Sequence, residues 1–545
     1  MRVLLFYVST NMSRDGELWY YDEGLASVAA CLAAAGHEPR LRMVQPGTCP
    51  RETLAWAMEN GGEKTLIVFL TSMLFSAYGH DRPDAFSPVA DLGRKTGFPT
   101  LMVGLHATLN AEDVILHPGV DMVGRGEMDE ALIEICDAIE AGRPLTGIRN
   151  LWTKSNGLVH REALRPLVGD LNGLPLPTRD LLPWDQQANE RDGILTVICT
   201  RGCPLDCPFC SNHVLRRLYE GNGPYVRTKS PTRVIREILA ARTTMPELRA
   251  VFFHDDIFGM SQPWTEEFLA LYSRQVNLPW GCNLVIDQVN EDFASKIARA
   301  GCRQVQIGIE HGDRHVRNEI LQKGISDERI HEAVNILRRH GIAIKFFAMM
   351  GLPEESRERF LSSVRNFAGM GPDMIQIQVW EAHEGSDLQL ADREASHIAG
   401  RHYDPRGDRR AWRLKFYFRY FHRYVAIFEV LARQGRFKLR HRLIRFLVKL
   451  SIRLPFAPEL MLRRDWDGRP RRFARALAPL WARKVARRLI APFPEEVLEC
   501  ERRLASVYRE PEGEREDEPR TGWEAGFRID QRGQSTPRRT EIISS

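Results

Sequence analysis

The chain has 545 residues, of which 43% are hydrophobic and 27% are charged, and its formal net charge is +5. This is the composition of a globular protein, and the length predicts roughly two to four domains. The ten cysteines are too scattered for a disulfide-rich secreted protein. No stretch reaches the ~18 apolar residues that span a bilayer, and the apolar run in MRVLLFYVST is too short for a signal peptide. We therefore expect a cytoplasmic protein.

Residues 1–142 alternate short apolar runs with amphipathic stretches. VLLFYV, TLIVFL and TLMVGL are typical of buried strands, and helical patterns lie near 23–36, 84–96 and 127–141. This alternation predicts an α/β domain with a parallel, doubly wound, Rossmann-like sheet. Residues 143–190 are punctuated by Gly and Pro, so we predict a linker there with one hairpin.

Residues 191–395 show six strand–helix units in series. The predicted strands are 194–199, 249–254, 279–285, 303–309, 343–350 and 374–380. A series of this kind predicts a partial (β/α)6 barrel of the TIM type, in which ligands collect at the carboxyl ends of the strands.

The C-terminal part of the chain has a different composition. Between 431 and 490 there are 18 Lys and Arg against 3 Asp and Glu, with apolar residues interleaved. We predict a mostly α-helical basic region over 396–508 and a disordered tail over 509–545. The basic helices either pack on the barrel or contact anionic lipid, and nucleic acid ranks last because no nucleic-acid-binding motif is present.

The stretch TRGCPLDCPFCSNH holds three cysteines in the spacing C-x3-C-x2-C: Cys203, Cys207 and Cys210. Three local thiolates on a cubane cluster would leave one iron open for a ligand. Two alternatives remain: a zinc site completed by His213 or Cys199, and a fully ligated electron-transfer cluster that includes Cys199.

The triad, with Phe209 before its last cysteine, strongly resembles the radical S-adenosylmethionine superfamily, in the subgroup with an N-terminal cobalamin-binding-like domain. FFHDDIFGM, AGCRQVQIGIEHG, LQKGI and MMGLPEES extend the resemblance over about residues 1–390. The resemblance implies a 4Fe–4S cluster and S-adenosylmethionine, which the reduced cluster cleaves to a 5′-deoxyadenosyl radical.

The resemblance also implies roles for individual residues. It assigns the methionine ammonium to Asp255 or Asp256 and the ribose hydroxyls to Glu310, while Arg201 is a further candidate for a carboxylate contact. The remaining candidates for S-adenosylmethionine binding are Phe209, Gly308, Gly312 and Lys323.

MVGLHATLNAEDVILHPGVDMVGRGEMDEAL, over 102–132, resembles the cobalamin-binding-like domain of the subgroup. The D-x-H-x-x-G pattern that supplies an axial histidine in many cobalamin proteins is absent from this stretch. The residues that match the subgroup, and are therefore candidates for cobalamin binding, are Gly104, His106, Thr108, Gly124, Gly126 and Glu127.

Three hypotheses follow. The first is cobalamin-dependent radical methylation of an unactivated carbon. The second is a radical oxidative cyclisation or rearrangement without methyl transfer, and the third is a non-catalytic metal or electron-transfer protein. The radical hypotheses imply a small-molecule, in some relatives lipophilic, substrate and an electron donor such as flavodoxin or ferredoxin. The basic region adds an expectation of peripheral contact with the inner face of the membrane.

Overall fold

The structure is a computed structural model of the chain, and it describes residues 1–8, 22–44, 48–71, 86, 89–155, 157–179, 181, 193–245, 248–372, 374–380 and 385–388. The basic helical region predicted for 396–508 and the tail predicted for 509–545 lie outside the described residues. Within the described part of the chain, no helix is both long enough and apolar enough to cross a bilayer.

The N-terminal sheet has seven strands in the order β2-β1-β3-β4-β5-β6-β7. The strands are β1 (Arg2–Val8), β2 (Glu38–Val44), β3 (Thr65–Thr71), β4 (Thr100–Gly104), β5 (Met122–Gly124), β6 (Leu151–Ser155) and β7 (Leu158–Arg161). The first five are parallel, and the order reverses between β1 and β3. Such a switch point opens a crevice at the carboxyl edge, where doubly wound sheets bind ligands.

In the described residues, six helices accompany this sheet. They are α1 (Glu23–Ala34), α2 (Pro50–Asn60), α3 (Leu92–Thr96), α4 (Leu105–Leu109), α5 (Ala111–Leu116) and α6 (Ala131–Glu140). Alternate residues of β1 enter different apolar clusters: Val3 and Leu5 face one side of the sheet, while Leu4 and Phe6 face the other. Both faces are therefore covered, as the predicted doubly wound arrangement requires.

The hairpin β6–β7 lies within the segment predicted to be a linker. It pairs antiparallel with β5 and extends the N-terminal sheet, so that sheet continues beyond residue 142. Leu151 and Trp152 are buried, and their burial fixes the hairpin to the sheet.

The second sheet is parallel throughout, and its order β15-β14-β13-β12-β11-β8 follows the chain. Its strands are β8 (Ile194–Val197), β11 (Ala250–Phe253), β12 (Trp280–Leu284), β13 (Cys302–Glu310), β14 (Ala343–Met350) and β15 (Met374–Val379). The short strands β9 (Thr200–Arg201) and β10 (Arg227–Thr228) form a separate antiparallel pair. A strand stands at each of the six predicted places. Sequential parallel strands of this kind are the arrangement of a TIM-type barrel wall.

The helix α7 (Ser211–Leu218) lies between β9 and β10 in the chain, and its Leu218 packs in a separate apolar cluster with Leu164 and Leu167. The helices whose apolar residues enter the main cluster of the second sheet are α8 (Pro231–Thr244), α9 (Gln262–Gln275), α10 (Glu291–Arg299), α11 (Asp327–Arg339) and α12 (Arg357–Met370). Ser230, Asn290 and Ser326 cap three of them by accepting a hydrogen bond from a backbone N–H of the first turn. These caps satisfy amides that the helix itself leaves unpaired.

The inner face of the second sheet is more open than its outer face. On β14, Ile344, Phe346 and Ala348 are buried in the main apolar cluster under the helices. Lys345 and Phe347, which point the other way, are only half-buried. Among the described residues, the inner face of the sheet is therefore less closely covered than the outer face.

Candidate active site

The three-cysteine loop connects β9 to α7 at the carboxyl end of the second sheet. Gly202 begins the loop with φ of +88°, and a Cβ there would lie 2.4 Å from the carbonyl oxygen of Tyr225. Cys210 ends the loop as the residue before α7, and its amide donates to the carbonyl of Cys207 at 3.0 Å. Glycine is therefore required where the chain turns back over the β9–β10 pair.

Cys203 is buried, whereas Cys207 and Cys210 are partly exposed. Burial, together with the neighbouring Asp256 and the other two thiols, raises the pKa of Cys203 to about 12. Burial also raises the pKa of Cys207 and of Cys210. A bound metal ion would offset this effect, because it favours the thiolate form of a coordinating cysteine.

The residues considered as a fourth ligand are occupied elsewhere. Both ring nitrogens of His213 face carboxylates, with Nδ1 at 3.0 Å from Asp206 and Nε2 at 2.9 Å from Asp387. Cys199 is 1% exposed and packs in the main apolar cluster of the second sheet. The loop thus offers three thiolates, which is the donor set of a cubane cluster with one open iron.

The two aspartates after β11 have different surroundings. Asp255 is 1% exposed, and its carboxylate accepts hydrogen bonds from the amides of Cys199 and Thr200 at 2.6–3.2 Å. Asp256 is solvent-exposed, yet burial within the surrounding protein raises its pKa. A carboxylate that is exposed to solvent but surrounded by protein is suited to bind the cationic group of a ligand. Asp256 is therefore the candidate for the methionine ammonium, whereas the hydrogen bonds of Asp255 to the backbone indicate a structural role.

Glu310 ends β13 in a strained conformation that turns its side chain toward the cysteine loop. Its φ is +67°, and the pairing with β14 shifts register between Gly308 and Glu310. Its carboxylate lies 3.7 Å from Lys323 Nζ, which itself sits 5.9 Å from the ring centroid of Phe209. Burial raises the pKa of Glu310, and Lys323 partly offsets this effect. Strained non-glycine residues of this kind cluster at functional sites.

The two candidate glycines near Glu310 have different neighbours. A Cβ at Gly308 would lie 2.2 Å from the Glu310 carboxylate, so Gly308 makes room for that side chain. A Cβ at Gly312 would lie 2.3 Å from the carbonyl oxygen of Ser363 on α12. The space beside Gly312 is therefore filled by a helix, whereas the resemblance had made Gly312 a candidate for S-adenosylmethionine binding.

Phe209 lies at the edge of a small apolar cluster that includes Val316, Leu321 and Leu352. The ring therefore anchors the cysteine loop to the segment that follows β13. Its contact with Lys323 links that anchor to Glu310.

Four cobalamin candidates lie at the carboxyl edge of the N-terminal sheet, after β4 and β5. A Cβ at Gly104 would lie 2.2 Å from the carbonyl oxygen of Thr71, so glycine is needed for the strands to close. Thr108 is buried and bridges the two strand ends, since its hydroxyl donates to Gly104 and accepts from Gly126. Gly124 is buried at the end of β5, where a Cβ would lie 2.6 Å from Met128. His106 is half-buried at this edge, with Nδ1 at 3.1 Å from the side-chain nitrogen of Asn110.

The other two cobalamin candidates, Gly126 and Glu127, lie where the N-terminal sheet meets the segment that contains the second sheet, and both contact residues of that segment. A Cβ at Gly126 would overlap the hydroxyl of Tyr219, which accepts a hydrogen bond from the Glu127 amide. The Glu127 carboxylate forms a bidentate pair with Arg227, both contacts being 2.8 Å. Sequence reasoning missed this interdomain contact because the partners are a hundred residues apart.

Arg201 also belongs to the junction, although the sequence analysis made it a candidate cofactor ligand. Its guanidinium donates to both oxygens of the buried Asp129 at 2.9 and 3.0 Å and to the Ser27 hydroxyl at 3.0 Å. Lys229 pairs with Glu23 of α1 in the same region. Arg201 thus ties the strand that enters the cysteine loop to the N-terminal sheet.

Comparisons with known proteins agree with this arrangement. The sequence profile of the radical SAM superfamily matches residues 197–366. An uncharacterized methyltransferase of Pyrococcus horikoshii is 28% identical over 290 residues, which are 53% of this chain and 61% of the relative. The anaerobic magnesium-protoporphyrin IX monomethyl ester cyclase of Rubrivivax gelatinosus is 24% identical over 309 residues, 54% of this chain and 53% of the relative. The chain thus spans between 53% and 61% of the length of these two relatives.

Among solved structures, the radical S-adenosylmethionine methyltransferase TsrM from Kitasatospora setae, with cobalamin and a 4Fe–4S cluster bound, superposes with a TM-score of 0.57. The two chains are 16% identical, and the match covers 73% of this chain and 76% of TsrM. At that identity the similarity establishes a shared fold. Residues 197–366, which include the three-cysteine loop, thus match the radical SAM superfamily.

Proposed function

We propose that the protein is a radical S-adenosylmethionine enzyme that methylates an unactivated carbon, with cobalamin as the methyl carrier. The observation that carries the proposal is the loop of three neighbouring thiols without a fourth local ligand, at the carboxyl end of a parallel sheet. Asp256 and Glu310 lie near this loop, because their charges raise the pKa of its thiols. Asp256 raises the pKa of Cys203 and Cys210, and Glu310 raises the pKa of Cys207 and Cys210.

Each group has a place in the proposed reaction. Cys203, Cys207 and Cys210 would hold the cluster, Asp256 would accept the methionine ammonium, and Glu310 would accept a ribose hydroxyl. With an electron from a donor such as flavodoxin or ferredoxin, the bound cofactors would supply a 5′-deoxyadenosyl radical to remove a hydrogen atom from the substrate and a methyl group to take its place. A further electron and a second S-adenosylmethionine would restore the methyl group on the carrier. The protein orients these groups and excludes water.

The N-terminal sheet supports the cobalamin part of the proposal. Its switch point opens at the edge that carries Gly104 and His106, and ligands of doubly wound sheets bind at that edge. TsrM shares the fold and binds cobalamin. Glu127 is engaged by Arg227, so we expect its contribution to be indirect.

A radical oxidative cyclisation without methyl transfer is the second candidate. The similarity to an anaerobic cyclase favours it, although at 24% identity over about half of each chain. The methyltransferase relative is more similar, at 28%. We expect a small-molecule substrate on the half-buried inner face of the second sheet. Membrane contact through residues 431–490 stays a prediction, since that segment lies outside the described residues.

The proposal is tested with anaerobically purified and reconstituted protein. We expect about four irons per chain and release of 5′-deoxyadenosine after addition of reductant and S-adenosylmethionine. Hydroxocobalamin should change its visible spectrum on binding. Label from methyl-labelled S-adenosylmethionine should then enter a small-molecule acceptor. Bound zinc with no 5′-deoxyadenosine would refute both radical hypotheses, and product without label would favour cyclisation.

A further inference from the structure

Tyr219 is the residue that follows α7, so this helix joins it to the cysteine loop. Cys210 is the residue before the helix, and at the other end the Tyr219 amide donates to the carbonyl of Leu215 at 3.0 Å. The helix has 8 residues and is therefore about 12 Å long. Because a short regular helix moves as a rigid element, a displacement of the cysteine loop reaches Tyr219.

The side chain of Tyr219 ends against residues 125–127, which follow β5 and are called the β5 loop below. Its hydroxyl accepts a hydrogen bond from the Glu127 amide at 3.0 Å. Gly126 has φ of +74°, and a Cβ there would overlap the same hydroxyl, so only glycine leaves room for the tyrosine. Tyr219 is 4% exposed and packs with Leu164 and Leu167. Its position is therefore fixed on all sides by the surrounding protein.

The β5 loop also reaches the edge of the N-terminal sheet at which we expect cobalamin. The Gly126 amide donates to the hydroxyl of the buried Thr108 at 2.9 Å, and that hydroxyl donates to the Gly104 carbonyl at 2.8 Å. Direct contacts therefore run from the end of β4 through Thr108 and the β5 loop to Tyr219. From there α7 continues the connection to Cys210.

The charged pairs between the two sheets do not depend on the Tyr219 hydroxyl. The Glu127 carboxylate pairs with Arg227 through two contacts of 2.8 Å, and Arg201 donates to Asp129 at 2.9 Å. Removal of the hydroxyl would leave these pairs in place, so the two sheets would stay in contact. What the hydroxyl transmits can thus be tested without separating the sheets.

We propose that Tyr219 is a positioning residue that couples the cobalamin edge of the N-terminal sheet to the cysteine loop. A metal centre fixes the residues that bind it, so cluster assembly would fix the start of α7 and, through Tyr219, the β5 loop. Cobalamin should then bind more tightly to the cluster-loaded protein, because less of its edge remains to be ordered, and the effect is reciprocal. The inference rests on the proposed function, since it presupposes both cofactors.

The test compares the wild type with Tyr219→Phe, which keeps the ring and removes the hydroxyl. Tyr272→Phe on α9 is the matched control, because the buried Tyr272 hydroxyl has no hydrogen-bond partner among the described residues. For each protein we would measure iron content and the dissociation constant of hydroxocobalamin, with the cluster reconstituted and with iron removed. We expect the cluster to tighten binding about fivefold or more in the wild type and in Tyr272→Phe, but less than about twofold in Tyr219→Phe. A hydroxyl that only supports the fold would change both dissociation constants by the same factor.

Hydrogen exchange of the iron-free protein provides a second measurement, which decides the question if Tyr219→Phe does not retain iron. We expect hydroxocobalamin to slow exchange in the cysteine loop and α7 of the wild type, and most of this protection to be lost in Tyr219→Phe. The inference would be overturned by a wild-type affinity ratio of one, or by the same ratio or the same protection in both proteins. A wild type that holds no 4Fe–4S cluster or binds no hydroxocobalamin would overturn the proposed function, and the inference with it.

Discussion

At the scale of single residues, Gly308 and Glu310 form a unit. The Glu310 carboxylate occupies the space in which a side chain at residue 308 would lie. A Cβ on Gly308 would be only 2.2 Å from the Glu310 carboxylate oxygen. We expect Gly308→Ala to displace Glu310 and to weaken binding of S-adenosylmethionine at least about tenfold, because small displacements of a positioning group are costly. Equilibrium dialysis measures the effect. Gly169→Ala, where a Cβ meets nothing within 4 Å, is the control and should bind normally.

The raised pKa of the buried Asp255 carboxyl group should make the stability of the protein depend on pH. Burial raises its pKa to about 7, although the amides of Cys199 and Thr200 oppose the shift. Between ~3.9, the value of an unfolded aspartate, and about 7, the unfolded chain has released a proton that the folded chain retains. The free energy of unfolding therefore falls as pH rises through this range, by at most about 4 kcal/mol.

Asp255→Asn removes this titration and keeps an acceptor oxygen for the amides. We expect the stability of the variant, relative to the wild type, to increase from pH 5 to pH 8. Urea unfolding of the metal-free chain under anaerobic conditions measures the difference. An identical pH profile for both proteins would show that Asp255 is ionised throughout this range.

The two aspartates also show where sequence reasoning reached its limit. The sequence placed both at the end of one strand, beside the cysteine loop, and this is where they lie. It did not distinguish them, because successive residues at a strand end point to opposite sides and only the fold decides which side is open. Asn212 donates a hydrogen bond to Asp256 and accepts one from Tyr225, and these contacts were missed because the partners are not neighbours in sequence.

At the scale of elements, the apolar runs predicted the strands that are buried on both faces. The edge strand β2 was missed because charged residues alternate with other residues along it and most of the strand is partly exposed, as is usual for an edge strand. The two-residue strands β9 and β10 are too short for any periodicity. They nevertheless carry Arg201 and Arg227 and determine how the cysteine loop leaves the sheet.

The contact between the end of β13 and α12 allows a prediction at this scale. Gly312→Ala would place a methyl group 2.3 Å from the Ser363 carbonyl oxygen, and the Gly312 amide also donates to the Ser363 hydroxyl at 2.8 Å. We expect overpacking to reduce the free energy of unfolding by about 1–3 kcal/mol. Thermal unfolding would show it, with Gly369→Ala in the same helix as the control, where a Cβ meets nothing within 4 Å. Equal melting temperatures for both variants would contradict it.

At the scale of the whole molecule, charged pairs join the two sheets. Arg201 contacts Asp129, Arg227 contacts Glu127, and Lys229 contacts Glu23; most of these side chains are buried. The sequence showed two α/β units but did not show how they meet, since each pair links residues that are far apart in the chain. The junction matters for function because β9 leads directly into the cysteine loop.

The Arg201–Asp129 pair offers the decisive test of this junction. Asp129→Asn removes the nearer of the two carboxylates that face the Arg201 guanidinium, since Glu127 remains 3.3 Å away. We therefore expect a loss of stability below the about 3–5 kcal/mol that breaking a fully buried pair costs, whereas replacing both partners by apolar residues is often tolerated. We expect the double variant Asp129→Leu/Arg201→Met to unfold at a higher urea concentration than Asp129→Asn, and Asp129→Asn to retain less iron after reconstitution. A double-mutant cycle with the single variants Asp129→Leu and Arg201→Met measures the coupling. If the effects of the single changes simply add, the pair does not hold the cysteine loop against the N-terminal sheet, and the proximity of the two sheets must depend on the pairs at Arg227 and Lys229.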